Sequence, residues 1–235
     1  MKKFRVIVAD PPWIFSDKLE MSDVARGAEA NYDVMTIKDI KELPIQNFIS
    51  PDGAILALWV PSSLLQEGLD TMKSWGFKHK QTYIWVKTKK EPFAWFSKLI
   101  KQHFSKLPFN KTKDTNQTFL KLVKVIKDAI PNYDLNEILA FGMGRLFRQA
   151  HEICLIGTSD NKIYKELKNK SQRSVSFAPN LRHSVKPENL QDSLETMFPT
   201  GSKLELFARR HRPGWICLGK EICNGEDIRV SLAKL

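Results

Sequence analysis

Asp10-Pro11-Pro12-Trp13 stands where the apolar run Phe4-Arg5-Val6-Ile7-Val8-Ala9 stops. The run predicts a buried strand, and two consecutive prolines cannot continue a sheet, so the carboxylate and the indole fall at the strand's carboxyl end. Ligands of open α/β sheets bind along that edge. Prolines offer carbonyls and no donors, so Asp10 and the Pro11 carbonyl form a pair of acceptors beside a large aromatic ring. Such a set suits a flat heterocycle carrying an exocyclic amine, and adenine is one. That amine is a weak nucleophile because its lone pair is delocalised into the ring. Acceptors on both N–H bonds strengthen as positive charge develops on nitrogen, which is the differential stabilisation that alkylation by an activated methyl donor requires. Trp13 would then offer a stacking face worth about 1–3 kcal/mol per base, comparable with the cost of unstacking a nucleotide. The bland alternative is a tight turn in which Trp13 plugs the end of a core.

With 235 residues, 42% of them hydrophobic, the chain is long enough to bury a substantial core and too apolar for a disordered one. It predicts a single domain over residues 1–235 with one insertion. No apolar stretch reaches membrane-spanning length, and Met1-Lys2-Lys3 leads into a strand rather than a signal segment, so a cytoplasmic protein with no membrane partner is expected. Cys154, Cys217 and Cys223 are an odd number with no C-x-x-C and no matching histidine pair, which predicts reduced thiols and neither disulfide nor metal.

The elements that must hold the tetrapeptide in place follow the α/β alternation. Residues 54–60 predict a second buried strand, and Pro61-Ser62-Ser63 opens a helix in which Leu64, Leu65, Leu69 and Met72 recur at helical spacing until Gly76. Thr36 caps a short helix through Leu43. Residues 81–87, 152–157 and 204–208 supply three further strands. Hydrophobic strands separated by helices imply a mostly parallel α/β sheet. The polar segment 14–31 predicts a mobile loop after the active edge, able to act as a lid.

A basic stretch interrupts the alternation at about 88–140. Between Lys87 and Asp128 there are eleven lysines against Glu91, Asp114 and Asp128, a net charge of +8 within a chain of +11. Phe96, Leu99, Ile100, Phe104 and Leu107 share one helical stripe. Phe119, Leu122, Val123 and Ile126 form another, with Lys121, Lys124 and Lys127 opposite. A helical insertion with a cationic face is expected to contact the phosphates of a polyanion, and its other duty would be packing or dimerisation into a homo-oligomer.

Four further segments accompany the tetrapeptide. They are Tyr32-Asp33-Val34-Met35-Thr36, Ala150-His151-Glu152 running to Gly157, His183-Ser184-Val185-Lys186-Pro187-Glu188, and Leu204-Glu205-Leu206-Phe207-Ala208-Arg209-Arg210 followed by Pro213-Gly214-Trp215 and Gly219-Lys220-Glu221. In this order they resemble the Asp-Pro-Pro-Trp family of N6-adenine methyltransferases, that of the mRNA adenosine methyltransferase catalytic subunit, whose bacterial and phage members act on DNA. The resemblance covers most of the chain outside roughly 88–140. It implies a Rossmann-like methyltransferase sheet in permuted order, catalytic strand first and cofactor strand late, with S-adenosyl-L-methionine as cofactor.

By that resemblance Asp10, Pro11, Pro12 and Trp13 are catalytic. Asp10, Lys186, Glu205, Phe207, Arg209, His211 and Glu221 surround the cofactor, Lys186 pairing with its carboxylate and Arg209, His211 and Glu221 with its ribose hydroxyls. Trp13, Tyr32 and Glu152 face the base, while Lys121, Lys124 and Lys127, outside the resemblance, are assigned to the nucleic acid by their cationic face alone. Glu152 and Glu205 could instead be structural ion-pair partners. The chain departs from the family at Gly219-Lys220-Glu221, where an amide commonly stands in place of Lys220. The implied activity is methylation of adenine N6 in DNA, DNA being favoured over RNA. The alternatives are an RNA N6-adenosine methyltransferase and a catalytically silent nucleic-acid-binding partner.

Overall fold

The computed structural model describes residues 1–14, 35–104, 120–121, 123–124, 126–128, 134–142, 144, 146–180 and 185–235. The expected lid, Tyr32 and much of the second insertion stripe lie outside them. Two compact units are present. One comprises Met1–Val86, His151–Ser176 and Ser184–Leu235, the other Lys87–Ala150 and Phe177–His183.

Seven strands form one sheet: β1 (Val6–Ala9), β2 (Ile55–Val60), β3 (Lys78–Thr88), β4 (His151–Thr158), β5 (Val175–Pro179), β6 (Lys203–Leu206) and β7 (Trp215–Leu218), in the order β5-β3-β4-β2-β1-β6-β7. β1 and β2 are buried at every position, as expected for central strands covered on both faces. β1 pairs in parallel with β2 and β6, and β6 with β7. β4 runs antiparallel to both β2 and β3. The expected mostly parallel sheet therefore contains a reversed strand, β4. An antiparallel neighbour needs no crossover connection, and residues 89–150 between β3 and β4 belong to the second unit.

Helix α1 (Ile37–Lys41) begins where Thr36 Oγ1 accepts the Asp39 N–H at 3.1 Å, as the sequence predicts. Helix α2 (Leu65–Ser74) packs on β2 through Gly68, where an added Cβ would lie 2.6 Å from Val60 Cγ2. That contact sets the buried face at Leu64, Gly68, Thr71 and Met72. Leu65, expected on the apolar stripe, is consequently exposed. Trp75 Nε1 donates to the Ile40 carbonyl at 2.9 Å, tying α2 to α1. Helices α4 (Asn189–Met197) and α5 (Ile228–Ala233), separated in the chain by β6 and β7, complete this unit.

The second unit holds α3 (Ala94–Phe104), helical residues within 120–128 and a 3₁₀ turn at Leu135–Ile138 capped by Asp134. Lys121, Lys124 and Lys127 are exposed on it. Among the described residues no helix is long and apolar enough to cross a membrane.

Candidate active site at the sheet edge

Strand register determines which residues meet at the edge. Ala9 is level with Leu58 on one side and with Leu206 on the other, so the next residues, Asp10, Trp59 and Phe207, stand side by side where β1, β2 and β6 end. β4 runs the other way, with Ile153 opposite Val60, so its first residues rather than its last reach this edge. Glu152 arrives there by that reversal.

Lys186 joins the two acids. Its Nζ lies 3.0 and 2.8 Å from the two Asp10 oxygens and 3.1 Å from Glu152 Oε2. It also sits 5.6 Å from the Trp59 ring centroid, within range of a cation–π contact. The side chains of Lys186, Asp10 and Glu152 are 14, 23 and 26% exposed, enough burial to strengthen the charges and enough exposure to admit a ligand. Burial pushes the Asp10 carboxyl above its ordinary value. The Lys186 ammonium pulls against that shift, and the Glu152 carboxylate adds to it. Burial alone would weaken the Lys186 ammonium, but the two carboxylates outweigh it and hold the group above the usual lysine value. The cluster is thus one firmly charged lysine shared by two acids.

The tetrapeptide is held by its own backbone. Asp10 N–H donates to the Leu206 carbonyl at 3.4 Å, Trp13 N–H to the Pro11 carbonyl at 2.9 Å and Met35 N–H to the Pro12 carbonyl at 2.9 Å. The Pro11 oxygen keeps a second lone pair. Trp13 is only 4% exposed, packs within the hydrophobic core, and donates its indole N–H to the Trp59 carbonyl at 2.9 Å. This corrects the expectation of an open stacking face. The indole fastens the turn to the end of β2, because a ring of that size beside two prolines buries more apolar surface against β2 than it could in solvent.

Residues after β6 are held under constraint. Phe207 has φ 60°, a left-handed backbone uncommon for a side chain without local polar compensation, and packs partly against the core. Ala208 N–H donates to the Leu218 carbonyl at 2.9 Å. Gly219 presses so closely there that an added Cβ would lie 2.1 Å from the Ala208 oxygen, which only glycine permits. Arg209 Nη1 lies 3.4 Å from Glu221 Oε1, so these two predicted residues are brought together. His211 is exposed in the loop before β7. Glu205 accepts a hydrogen bond from Gln191 Nε2 of α4 at 3.0 Å, and burial raises its carboxyl.

Sequence reasoning missed the residues that steady Lys186. Arg212, whose side chain is 11% exposed, reaches Glu188 at 2.5 Å, Asp192 at 2.6 Å and Glu195 at 2.8 Å. Arg210 bonds Glu188 at 2.5 Å and donates to the Lys186 carbonyl at 3.2 Å. The loop between β6 and β7 thereby grips the Lys186-Pro187-Glu188 segment. The spacing Glu188, Asp192, Glu195 on one helical face was the available signal. Trp59 was legible too, since it is the penultimate residue of a buried strand parallel to β1.

A seven-stranded mixed α/β sheet with these charged groups along one edge belongs to the Rossmann-like methyltransferase class. The MT-A70 family matches residues 4–115 and 93–221, and the chain belongs to it. It is 26% identical over 221 residues to the N(6)-adenosine-methyltransferase MT-A70-like protein of Arabidopsis thaliana, covering 93% of this chain and 24% of that one. Against the N(6)-adenosine-methyltransferase catalytic subunit METTL3 of Homo sapiens, identity is 25% over 222 residues, 94% of this chain and 28% of the relative. Against the type II methyltransferase M.MunI of Mycoplasma sp it is 23% over 236 residues, 94% and 78%. The chain spans about a quarter of the length of the first two relatives.

The buried indole bond makes a testable demand. Trp13→Phe leaves the Trp59 carbonyl without its donor and is expected to lower unfolding free energy by about 1–3 kcal/mol in urea titrations. An unchanged midpoint would show that the indole does not fasten the turn.

Proposed function

We propose that this chain transfers a methyl group from S-adenosyl-L-methionine to the N6 amine of adenine in DNA. The observation that carries the proposal is the Asp10–Lys186–Glu152 cluster at the carboxyl end of β1, the position at which sheets of this class bind ligands. Membership of the MT-A70 family supports the reaction type. M.MunI, covered over 78% of its length, is named a type II methyltransferase, which supports methyl transfer, and the net +9 of the second unit supports a nucleic acid as acceptor.

The donor set fits the cofactor. Lys186 offers an ammonium for a carboxylate, Asp10 an acceptor for an amino group or sulfonium, and Arg209 with Glu221 a donor and acceptor for vicinal hydroxyls. In this proposal β1 carries the catalytic acid and β6 leads into the cofactor-binding residues, the permuted order. Once bound, the cofactor supplies the activated methyl group.

The remaining work belongs to the side chains. A carboxylate offers about four lone-pair sites, so Asp10 can keep Lys186 and still accept one N–H of the amine. The second lone pair of the Pro11 carbonyl can accept the other. Both bonds tighten as the nitrogen becomes positive. The upward displacement of the Asp10 carboxyl suits it to hold the departing amine proton. Lys186 keeps the two carboxylates in place without itself losing a proton. Lys121, Lys124 and Lys127 contribute phosphate contact from the second unit.

Asp10→Asn preserves shape and removes the charge. Nucleoside mass spectrometry after incubation with labelled cofactor and duplex DNA, single-stranded DNA or RNA is expected to show N6-methyladenine from the wild type, mainly on DNA, and at least about a hundredfold less from the variant. Equal product from both proteins refutes the role of Asp10, and product on RNA alone reassigns the substrate. Glu152→Gln removes the like charge that helps raise Asp10, so the Asp10 value falls. The acid limb of the pH profile of kcat/KM is then expected to move to lower pH, and an unmoved limb would contradict the coupling.

A further inference from the structure

The second unit carries most of the protein's charge. Lys87–Ala150 and Phe177–His183 together hold fourteen lysines and arginines against five acids, a net +9 of the chain's +11. Within it the chain makes a short hydrogen-bonded turn. Gly142 N–H donates to the Gln149 carbonyl at 2.9 Å, and Gln149 N–H returns to the Gly142 carbonyl at 3.3 Å. Gly144 permits the turn, since an added Cβ would lie 2.1 Å from the Phe147 carbonyl oxygen.

Two adjacent apolar residues of this turn are exposed. Leu146 is 92% exposed and Phe147 86%, while Phe141 at the base is 65% exposed with the Arg148 guanidinium 6.0 Å from its ring centroid. Single exposed apolar residues are ordinary, but adjacent leucine and phenylalanine held out on a turn forgo burial that a folded chain normally takes. A unit of net +9 is complementary to a polyanion, and nucleic acid is one that also offers apolar surface, through the faces of its bases. Leu and Phe are among the side chains that wedge between base steps, and base stacking on aromatics tolerates any sequence.

We propose that Leu146 and Phe147 form an apolar wedge that inserts between bases of the nucleic acid bound by this cationic unit. The inference rests on nucleic acid being the substrate class. It adds a non-electrostatic contact to the phosphate contacts of the lysines, and the two are separable: counterion release gives affinity a salt dependence that apolar insertion lacks.

The test is fluorescence anisotropy with full-length protein and labelled mixed-sequence duplex DNA, single-stranded DNA and RNA across a salt series. Phe147→Ala is expected to weaken binding about tenfold at every salt concentration with the slope of log affinity against log salt unchanged. Phe147→Trp keeps a stacking ring and is expected to retain wild-type affinity. Affinity within twofold of wild type for Phe147→Ala, or a loss accompanied by a changed slope, overturns the wedge. So does self-association of the wild type that Phe147→Ala abolishes while nucleic-acid affinity stays constant. Methylation by the wild type together with unaffected Phe147→Ala binding removes the wedge alone. Failure of the wild type to bind any of the three probes removes the wedge and the proposed function together.

Discussion

One ammonium held between two carboxylates organises this molecule. Asp10 and Glu152 arrive at the same edge from strands of opposite direction, and without Lys186 two partly buried negative charges would face each other. With it the cluster retains one net negative charge and a carboxyl displaced upward, a state suited to holding a polarised N–H. The surrounding architecture serves this arrangement. β1 delivers the acid at its carboxyl end, the reversed β4 delivers Glu152 at its start, and the prolines end β1 where the acid must stand.

The lysine comes from outside the sheet, so its position depends on other contacts. Arg210 and Arg212 grip the segment that bears it, and Arg212 also gathers Asp192 and Glu195 of α4. The same loop carries Arg209, which meets Glu221 beyond β7. Displacement of the loop would therefore disturb Lys186 and the Arg209–Glu221 pair together. The left-handed Phe207 and the close contact of Gly219 with Ala208 show how tightly the start of that loop is specified.

β1 and β2 were legible in the sequence because apolar runs ended by proline have little else to become, and β4 and β6 also lie close to their expected bounds. β5 was not legible: it is a short edge strand ending in Pro179, with exposed and half-buried positions and no apolar run. The reversal of β4 was hidden because direction is set by how the chain returns from the second unit, not by strand composition. Asp10 and Lys186 were recognisable by motif, but their contact spans 176 positions and only the fold brings them together. Trp13 shows the opposite case. Its residue type suited stacking, while its place beside β2 left it a core position with a satisfied N–H.

The central claim is that Lys186 serves a ligand as well as the two acids. Isothermal titration of S-adenosyl-L-methionine into the wild type and into Lys186→Met tests it most directly, with circular dichroism confirming that both are folded. Binding by the wild type and at least about tenfold weaker binding by the variant are predicted, since a charge-assisted contact to a carboxylate is lost. Equal affinity for the two proteins would contradict the account and leave the lysine a purely structural bridge.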